Sequence, residues 1–486
     1  MLALTEIFKM HIYFGQHVPY HLWYLILRSI SIAFGNKEVT IYCDEWDRDL
    51  LVNFCSSTNS KIKISSLRLG WLNKFRRFLF LFVLPKYLFI SLRLLYAKKN
   101  LNNIFDVSIW ELASLTLRPG EYSPKFLSLI KSGYSIYCET IRAYYILKHD
   151  CALNILGHKV YGSRVIWNTL SCANKRILLW GSNNFIIHSA FYDNRLPFLV
   201  SVKDLRIFKD NGYSSHAQKF WANRILGIIL YKDAAKAAFQ SQTLAEIGFE
   251  YPRKVVMLHV FRDSPFFSLD PDRIFNDYFQ WFAVTLKHIS ESSCKWVVRL
   301  HPSASDWGED QIDVINAAFK YLGISNPNNL IIDNGIVSNE YIFKNCDVIV
   351  TYQGSAVIEA LAFGKKIISI AGYNKINSYL SNSFLVPASV DEYIELLGNM
   401  PKEHFIASQL EIDIGKKLLY AKEYVLSLSR YSDVTGSKRA EFRSAQEEVD
   451  KGRSFSEQLV FDLSNFLESN YKSSSYEIFP DLFQHE

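Results

Sequence analysis

The sequence predicts an α/β protein of two Rossmann-like domains facing a central cleft, with a helical C-terminal extension. Three observations predict this class. Short apolar runs alternate with helix-length segments from Val39 onward, a pattern that places helices on the faces of a mostly parallel sheet. The alternation occurs twice, and the turn-rich stretch Gly248–Arg253 separates the two series. Two of the later strand exits carry residues suited to an anion: Arg299-Leu300-His301-Pro302, and Thr351-Tyr352-Gln353-Gly354-Ser355. The expected divisions are an N-terminal Rossmann-like domain over 1–250, a second over 251–390, and a helical extension with a partly flexible tail over 391–486.

The elements follow in order. Val39–Cys43 (VTIYC) is a buried-strand run, and Phe105–Ile109 is a further strand candidate. Arg176–Trp180 (RILLW) leads through Gly181-Ser182-Asn183-Asn184 into a helix-like Phe185–Tyr192, and Leu196–Val202 reads as the next strand. Tyr213–Glu246 reads as one or two helices. The second domain alternates strand Lys254–Val260, helix Pro271–Glu291, strand Trp296–Leu300 and helix Glu309–Leu322. Strand Leu330–Asp333, helix Ser338–Lys344, strand Val348–Thr351, helix Ala356–Phe363 and strand Lys366–Ala371 complete it. Val390–Leu397, Glu403–Ser429 and Gln458–Ser469 are helical stretches. Thr435–Ser456 reads as a solvated connector and Ser473–Glu486 as a poorly structured end.

Composition excludes several classes. With 49% hydrophobic and 21% charged residues over 486 positions, the chain has the apolar content for two or three cores. Its net charge of +6, from 54 Lys+Arg against 48 Asp+Glu, fits an anionic substrate or a membrane surface and is too dilute for a nucleic-acid partner. Seven Cys, odd in number and without a CxxC pair, point to a reducing compartment and away from a disulfide scaffold or structural zinc. Met1–Gly15 lacks the pattern of a secretory signal, so the expected location is cytoplasmic.

Phe75–Lys99 (FRRFLFLFVLPKYLFISLRLLYAKK) has the length of a membrane span, but Pro85, Lys86 and Arg93 interrupt it. Each charge near a bilayer centre costs about 2.5–3.5 kcal/mol on insertion scales, which opposes spanning. Its basic flanks Arg76, Arg77, Lys98 and Lys99 fit a segment lying in the membrane interface. A buried helix pair broken at Pro85 fits the same residues.

The chemistry concentrates in Trp296–Tyr373. A strand, a small-residue turn and a helix in succession build an anion site: the first helical N–H groups are unpaired, the helix dipole is positive there, and Gly354 lets a phosphate approach the backbone beside Ser355. Glu359, one turn into that helix, suits a vicinal diol such as a ribose. His301 and Pro302 form the second element, although Pro also ends strands. Asp263 follows the first strand of the second domain, where a carboxylate can attack an anomeric carbon or cap the turn before Pro265. His259 fits a donor to a departing phosphate, or a hydrogen-bonded strand histidine. Ser182, Asn183, Asn184 and His188 form another strand-exit group, suited to acceptor or donor-sugar hydroxyls or to helix capping. Asp193, Asp204 and Asp233 are other possible bases. No acidic pair is read as the DxD kind that holds a metal-bound nucleotide, so no metal and no other cofactor is expected.

A series of motifs carries a family resemblance. Val256-Met257-Leu258-His259-Val260-Phe261-Arg262-Asp263-Ser264-Pro265 is followed by Phe275-Asn276-Asp277-Tyr278-Phe279-Gln280-Trp281, Arg299-Leu300-His301-Pro302-Ser303, Asp333-Asn334-Gly335-Ile336 and Thr351-Tyr352-Gln353-Gly354-Ser355, with Glu359 after them. The series, over about Arg176 to Tyr373, resembles the bacterial capsule and surface-polysaccharide glycosyltransferases of GT-B fold. These include the transferases of Kdo (3-deoxy-D-manno-octulosonic acid). The resemblance implies an acceptor-side first domain and a nucleotide-sugar-binding second one. It implies transfer of Kdo from CMP-Kdo, with retention, to a saccharide or lipid-linked glycan such as a lipopolysaccharide O-antigen, capsule or glycolipid acceptor. It places the enzyme at the cytoplasmic face of the inner membrane. Carried over, His301 and Pro302 hold the CMP moiety, Gly354 and Ser355 the phosphate and Glu359 the ribose. Asp263 is the candidate nucleophile by position and not by motif, and Arg299 and His259 join the nucleotide-binding and catalytic candidates from their own places in the sequence. Use of CMP-sialic acid or a UDP-sugar, and a non-catalytic membrane-associated scaffold of a polysaccharide-synthesis complex, are the alternatives.

Overall fold

The computed structural model describes residues 9–15, 20–35, 37–43, 51–52, 62–67, 70–96, 108–109, 112–113, 125–157, 161–180, 185–189, 212–225, 254–261, 274–275, 278–302, 304–305, 308–335, 337–352, 354–370, 383–399, 407–420, 455–470 and 477–479. The first sheet takes β1 (Lys9–Phe14), β2 (Glu38–Cys43), β3 (Ile62–Ser66), β4 (Leu153–Leu156), β5 (Arg176–Trp180) and β6 (Phe185–Ser189). Between and after them run α1 (Tyr20–Ala33), α2 (Gly70–Tyr96), α3 (Phe126–Lys148), α4 (Tyr161–Cys172) and α5 (Gly212–Ile225). The second sheet begins at β7 (Lys254–Met257) and continues α6 (Tyr278–Glu291), β8 (Trp296–Arg299), α7 (Gln311–Leu322), β9 (Leu330–Asp333), α8 (Asn339–Asn345), β10 (Val348–Thr351), α9 (Ser355–Ala362), β11 (Lys366–Ser369) and β12 (Phe384–Leu385). Helices α10 (Val390–Gly398), α11 (Gln409–Tyr420) and α12 (Glu457–Asn470) and strand β13 (Glu477–Phe479) follow.

The sheet orders are β13-β6-β5-β4-β1-β2-β3 and β12-β11-β10-β7-β8-β9. Counted from its own first strand, the second sheet runs 3-2-1-4-5-6 and the first runs the same with β13 added at its edge as a seventh strand, the order of doubly wound nucleotide-binding folds. All pairs in the second sheet are parallel. The chain thus contains two Rossmann-like domains with a helical C-terminal region, the GT-B type of architecture. Strands β7, β8 and β10 are buried at every residue (KVVM, WVVR, VIVT), as a parallel sheet covered on both faces requires. Their alternate side chains feed two cores. Val255, Val297 and Ile349 pack with Val357, Ile358 and Leu361 of α9 on one face. Val256, Val298 and Val350 pack with Trp281, Phe282 and Leu286 of α6 on the other.

Local chemistry fixes the helix ends. Asp310 caps α7 by accepting from the N–H groups of Ile312 and Asp313, and Gly323 closes it at φ +67°. Ser338 caps α8 by accepting from Tyr341 N–H.

Three local expectations are corrected. Within Phe185–Tyr192, Phe185–Ser189 is not helical but strand β6, antiparallel to β5, so the expected βα unit does not follow β5; Gly181–Asn184 and residues 190–192 lie outside the described residues. The tail is not uniformly unstructured, because Glu477–Phe479 adds an antiparallel edge strand to β6. Pro85 does not split Phe75–Lys99 into two helices; α2 runs through it, with Pro85 on the exposed side. The missing N–H costs one hydrogen bond, and packing of the other face compensates. Of Phe105–Ile109, residues 105–107 lie outside the described residues, and Ser108 and Ile109 are helical. Leu196–Val202 lies outside the described residues.

The C-terminal region divides between the two domains. Leu459, Val460, Leu463 and Phe466 of α12 join the core of α1 and β1, and Ser29 Oγ donates to Val460 O at 3.1 Å. In the second domain Trp221 of α5 meets Phe363 edge to face, with ring centroids 4.8 Å apart. Gln218 of α5 hydrogen-bonds Asp413 and Lys416 of α11.

Candidate functional site

The second sheet changes winding direction between the neighbours β7 and β10, and ligands of doubly wound folds bind outside the carboxyl ends of such strands. His259 lies just past β7, His301 just past β8 and Gly354 just past β10. The sequence places these residues up to 95 positions apart, and parallel pairing gathers them. Thr351 is in register with Met257, and its Oγ1 donates to Met257 O at 3.0 Å, binding the two strand ends side by side.

Gly354 is the N-cap of α9, the last residue of the β10–α9 turn, and sits at φ +125°, ψ −178°, a conformation almost restricted to glycine. It also has no room for a side chain: a Cβ there would lie 2.8 Å from His259 Nε2. The backbone of the α9 N-terminus therefore rests directly against the His259 ring. The N-cap of α9 is a glycine and brings no side chain of its own to the helix start, and the positive dipole end of α9 lies beside that imidazole. The His301 ring lies 5.3 Å from the His259 ring, centroid to centroid, tilted by 33°.

The two histidine segments are held by one amide. Gln311, 2% exposed at the start of α7, accepts from His301 N–H at 2.7 Å. Its Nε2 donates to His259 O and to Glu309 Oε1, each at 2.8 Å. The orientation of the amide is settled by its partners, since one end faces a donor and the other two acceptors. Glu309 Oε1 also accepts from Phe261 N–H at 3.0 Å, and Tyr278 OH accepts from His259 N–H at 2.5 Å. Neither Gln311, Glu309 nor Tyr278 is assigned a role by the motifs. A glutamine at the first turn of a helix has no pattern that marks it as buried.

Arg299 and Asp333 form a second layer. They are Cα partners across β8 and β9 and form a buried ion pair. Asp333 Oδ1 also accepts from Gly335 N–H at 3.0 Å and Val337 N–H at 3.4 Å. Burial lowers the Arg299 pKa, and the charges of Asp333 and Glu359 oppose that shift. Arg299 is 1% exposed, which places it under the strand ends and not at the open mouth. Glu359 is 9% exposed, one turn into α9 and within electrostatic reach of Arg299. Pro302 lies half-buried in the turn after β8.

Of the remaining predicted residues, Ser355 is the first residue of α9. His188 lies in β6 opposite Ile177 of β5, on the first sheet. Asp263, Ser182, Asn183 and Asn184 lie outside the described residues, as do Asp193, Asp204 and Asp233. The structure therefore gathers His259, His301, Gly354, Ser355 and Glu359 at one switch point, with Arg299 beneath them.

No family description matches the chain, and no curated protein does. Solved structures of similar course exist. The UDP-GlcNAc 2-epimerase of Methanocaldococcus jannaschii, in complex with UDP-GlcNAc and UDP, is 12% identical over 85% of this chain and 100% of its own, with a TM-score of 0.29. A glycosyltransferase from Rickettsia africae is 10% identical over 97% of this chain and 100% of its own, at 0.27. The Streptomyces sp. SF2575 glycosyltransferase SsfS6, complexed with thymidine diphosphate, is 9% identical over 85% and 95%, at 0.23. Similarity at this level assigns no activity to this chain.

Proposed function

We propose that this chain is a glycosyltransferase that takes its sugar from a nucleotide donor bound at the β7–β10 switch point. The observation that carries the reading is the seat of Gly354: the N-terminus of α9 begins at a glycine held against the His259 ring, with His301 alongside. That arrangement suits a phosphate, and Glu359 behind it suits a ribose diol. Within the proposal, the resemblance favours CMP-Kdo as donor, a saccharide or lipid-linked glycan as acceptor, and a cytoplasmic site of action. His301 and Pro302 then hold the CMP moiety, Gly354 and Ser355 the phosphate, and Arg299 supports the site from below through Asp333. No metal forms part of the proposal, because the N–H groups and positive dipole end of a helix can hold a single phosphate.

For catalysis the proposal assigns Asp263 the attack on the anomeric carbon. His259 donates to the departing phosphate oxygen, and the acceptor hydroxyl, giving its proton to that imidazole, then displaces the carboxylate, so configuration is retained. Ser182, Asn183, Asn184 and His188 are proposed to meet acceptor or donor-sugar hydroxyls from the first domain. Calorimetric titration with CMP, UMP, GMP and AMP tests the reading. It expects CMP to bind preferentially and His301→Ala and Glu359→Gln to weaken it at least tenfold. Preference for UMP would keep the class and remove Kdo. Absence of binding by every nucleotide and by CMP-Kdo would remove the enzyme reading and leave the scaffold alternative.

A further inference from the structure

Helix α2 is apolar on two opposite faces, and only one of them is covered. Phe80, Tyr87, Ile90 and Leu94 are buried against Leu129 and Ile136 of α3 and Val165 of α4. Gly133 of α3 admits the Tyr87 ring so closely that a Cβ would meet it at 2.7 Å. At about 100° per residue these buried positions centre on one side of the helix. Phe78, Leu81, Phe82, Phe89 and Leu92 centre on the opposite side and are all exposed, Phe82 at 70% and Phe89 at 68%. Phe78 and Phe82 stack edge to face with centroids 5.2 Å apart, so the stripe is an ordered aromatic surface. Exposed aromatics in a continuous stripe mark a surface built to be covered.

Charge identifies what covers it. Arg77 flanks the stripe on one edge, Lys86 and Arg93 flank it on the other, and all three are exposed. Between Leu50 and Phe105 the sequence holds ten basic residues and no acidic one: Lys61, Lys63, Arg68, Lys74, Arg76, Arg77, Lys86, Arg93, Lys98 and Lys99. Removing those ten from 54 Lys+Arg leaves 44 against 48 Asp+Glu, so the rest of the chain carries −4 and the whole positive surplus lies here. A protein partner surface of mixed charge does not call for such segregation, whereas an anionic sheet does. No helix among the described residues is long and apolar enough to cross a membrane. Aromatic residues on one face with cations along its edges suit a helix that lies in the headgroup plane.

We propose that the exposed face of α2 docks this protein on a bilayer surface rich in anionic headgroups, with the Phe78–Leu92 stripe entering the acyl boundary and Arg77, Lys86 and Arg93 meeting the headgroups. The inference does not depend on the enzyme reading, since vesicle binding needs neither nucleotide nor acceptor.

The test is flotation of the full-length chain with phosphatidylcholine vesicles, either neutral or containing about one third phosphatidylglycerol. The expected result is binding to the anionic vesicles only, abolished at ~1 M salt, where the screening length is about 3 Å. Phe82→Asp with Phe89→Asp should release the protein from them. Lys86→Gln with Arg93→Gln should weaken partitioning by about 25-fold, from roughly fivefold per cation. Both pairs change exposed side chains only, and unaltered circular dichroism checks their folding. Failure of the wild type to float with anionic vesicles would overturn the proposal, as would equal flotation of the Phe82/Phe89 variant. So would a lipid-free dimer that the same variant converts to monomer, since the face would then belong to a second copy.

Discussion

Replacing Gln311 with Leu separates what holds the two histidines from what the histidines do. The amide accepts from His301 N–H at 2.7 Å and donates to His259 O at 2.8 Å. Leu occupies nearly the same volume, so the principal loss is two backbone groups deprived of partners. Each such group costs about 1–3 kcal/mol when fully buried. His259 and His301 are only half-buried, so water restores part of this and about 2–3 kcal/mol for the pair is expected. Against a stability of about 5–15 kcal/mol the variant stays folded. Its site does not stay set: the exits of β7 and β8 lose their shared tether, and CMP affinity should fall at least tenfold. Gln311→Glu is the control. It keeps the acceptor for His301 N–H but, when ionised, sets a carboxylate against Glu309 and against His259 O. It should therefore resemble Leu at neutral pH and recover in acid, where a protonated carboxyl donates again. Guanidinium unfolding gives the stability difference and calorimetry gives the affinity. If Gln311→Leu unfolds within 0.5 kcal/mol of the wild type (about twofold in equilibrium constant) and binds CMP unchanged, the amide does not hold the site.

Other perturbations have signs fixed by the same structure. Arg299→Met leaves Asp333 buried without its ion-pair partner and should cost about 3–5 kcal/mol in denaturant unfolding. Adding Asp333→Leu should recover only part of that loss, because the Gly335 and Val337 N–H groups then lose their acceptor. Gly354→Ala forces a side chain into a conformation reserved for glycine and against His259. About 1–3 kcal/mol of stability should be lost, together with nucleotide binding by titration. Burial holds the pKa of His288 below its ordinary value, with Lys254 adding to the effect, and burial does the same for His149. A histidine pKa depressed by folding means that the unfolded chain takes up protons first as pH falls. Stability should therefore be complete above about pH 6.5 and decline in acid. Unfolding midpoints at pH 7.5 and 5.5 (about one unit either side of that value) measure the decline, and His288→Asn should reduce it.

The second domain was legible because its central strands are runs of buried, largely β-branched residues and several of its helices begin at a marked cap. Ser338 stands where the sequence predicts a helix to start and Asp310 one residue inside the predicted start at Glu309, and Val348–Thr351 matches its strand to the residue. The first domain was less legible for physical reasons. Phe185–Ser189 (FIIHS) carries an apolar content that fits either state, and only its pairing with β5 decides for a strand. Glu477–Phe479 is three residues long and exists as a strand because β6 offers an open edge. Pro85 marks a break in sequence, yet α2 continues because its covered face is fixed from Phe80 to Leu94. At the site, His259, His301 and Gly354 were visible as types. Gln311 was not, because a buried amide is recognised only by the two backbone groups it satisfies.

Charge at the switch point also bears on the donor. The Arg299 guanidinium is paired with Asp333, and Glu359 lies within its electrostatic reach. Its charge is therefore balanced before any ligand arrives. What faces a phosphate is the N-terminus of α9, equivalent to roughly half a positive charge, together with the imidazoles of His259 and His301. That supply matches the single phosphate of a nucleoside monophosphate sugar better than the two of a diphosphate, whose second group would need a further cation or a metal. CMP should thus bind at least as tightly as CDP, and magnesium should leave CMP affinity unchanged. Measuring both ligands with and without magnesium tests the charge argument independently of base preference. Tighter binding of CDP, or of UDP only with magnesium, would show that a diphosphate donor is used and that its second phosphate finds a partner beyond α9.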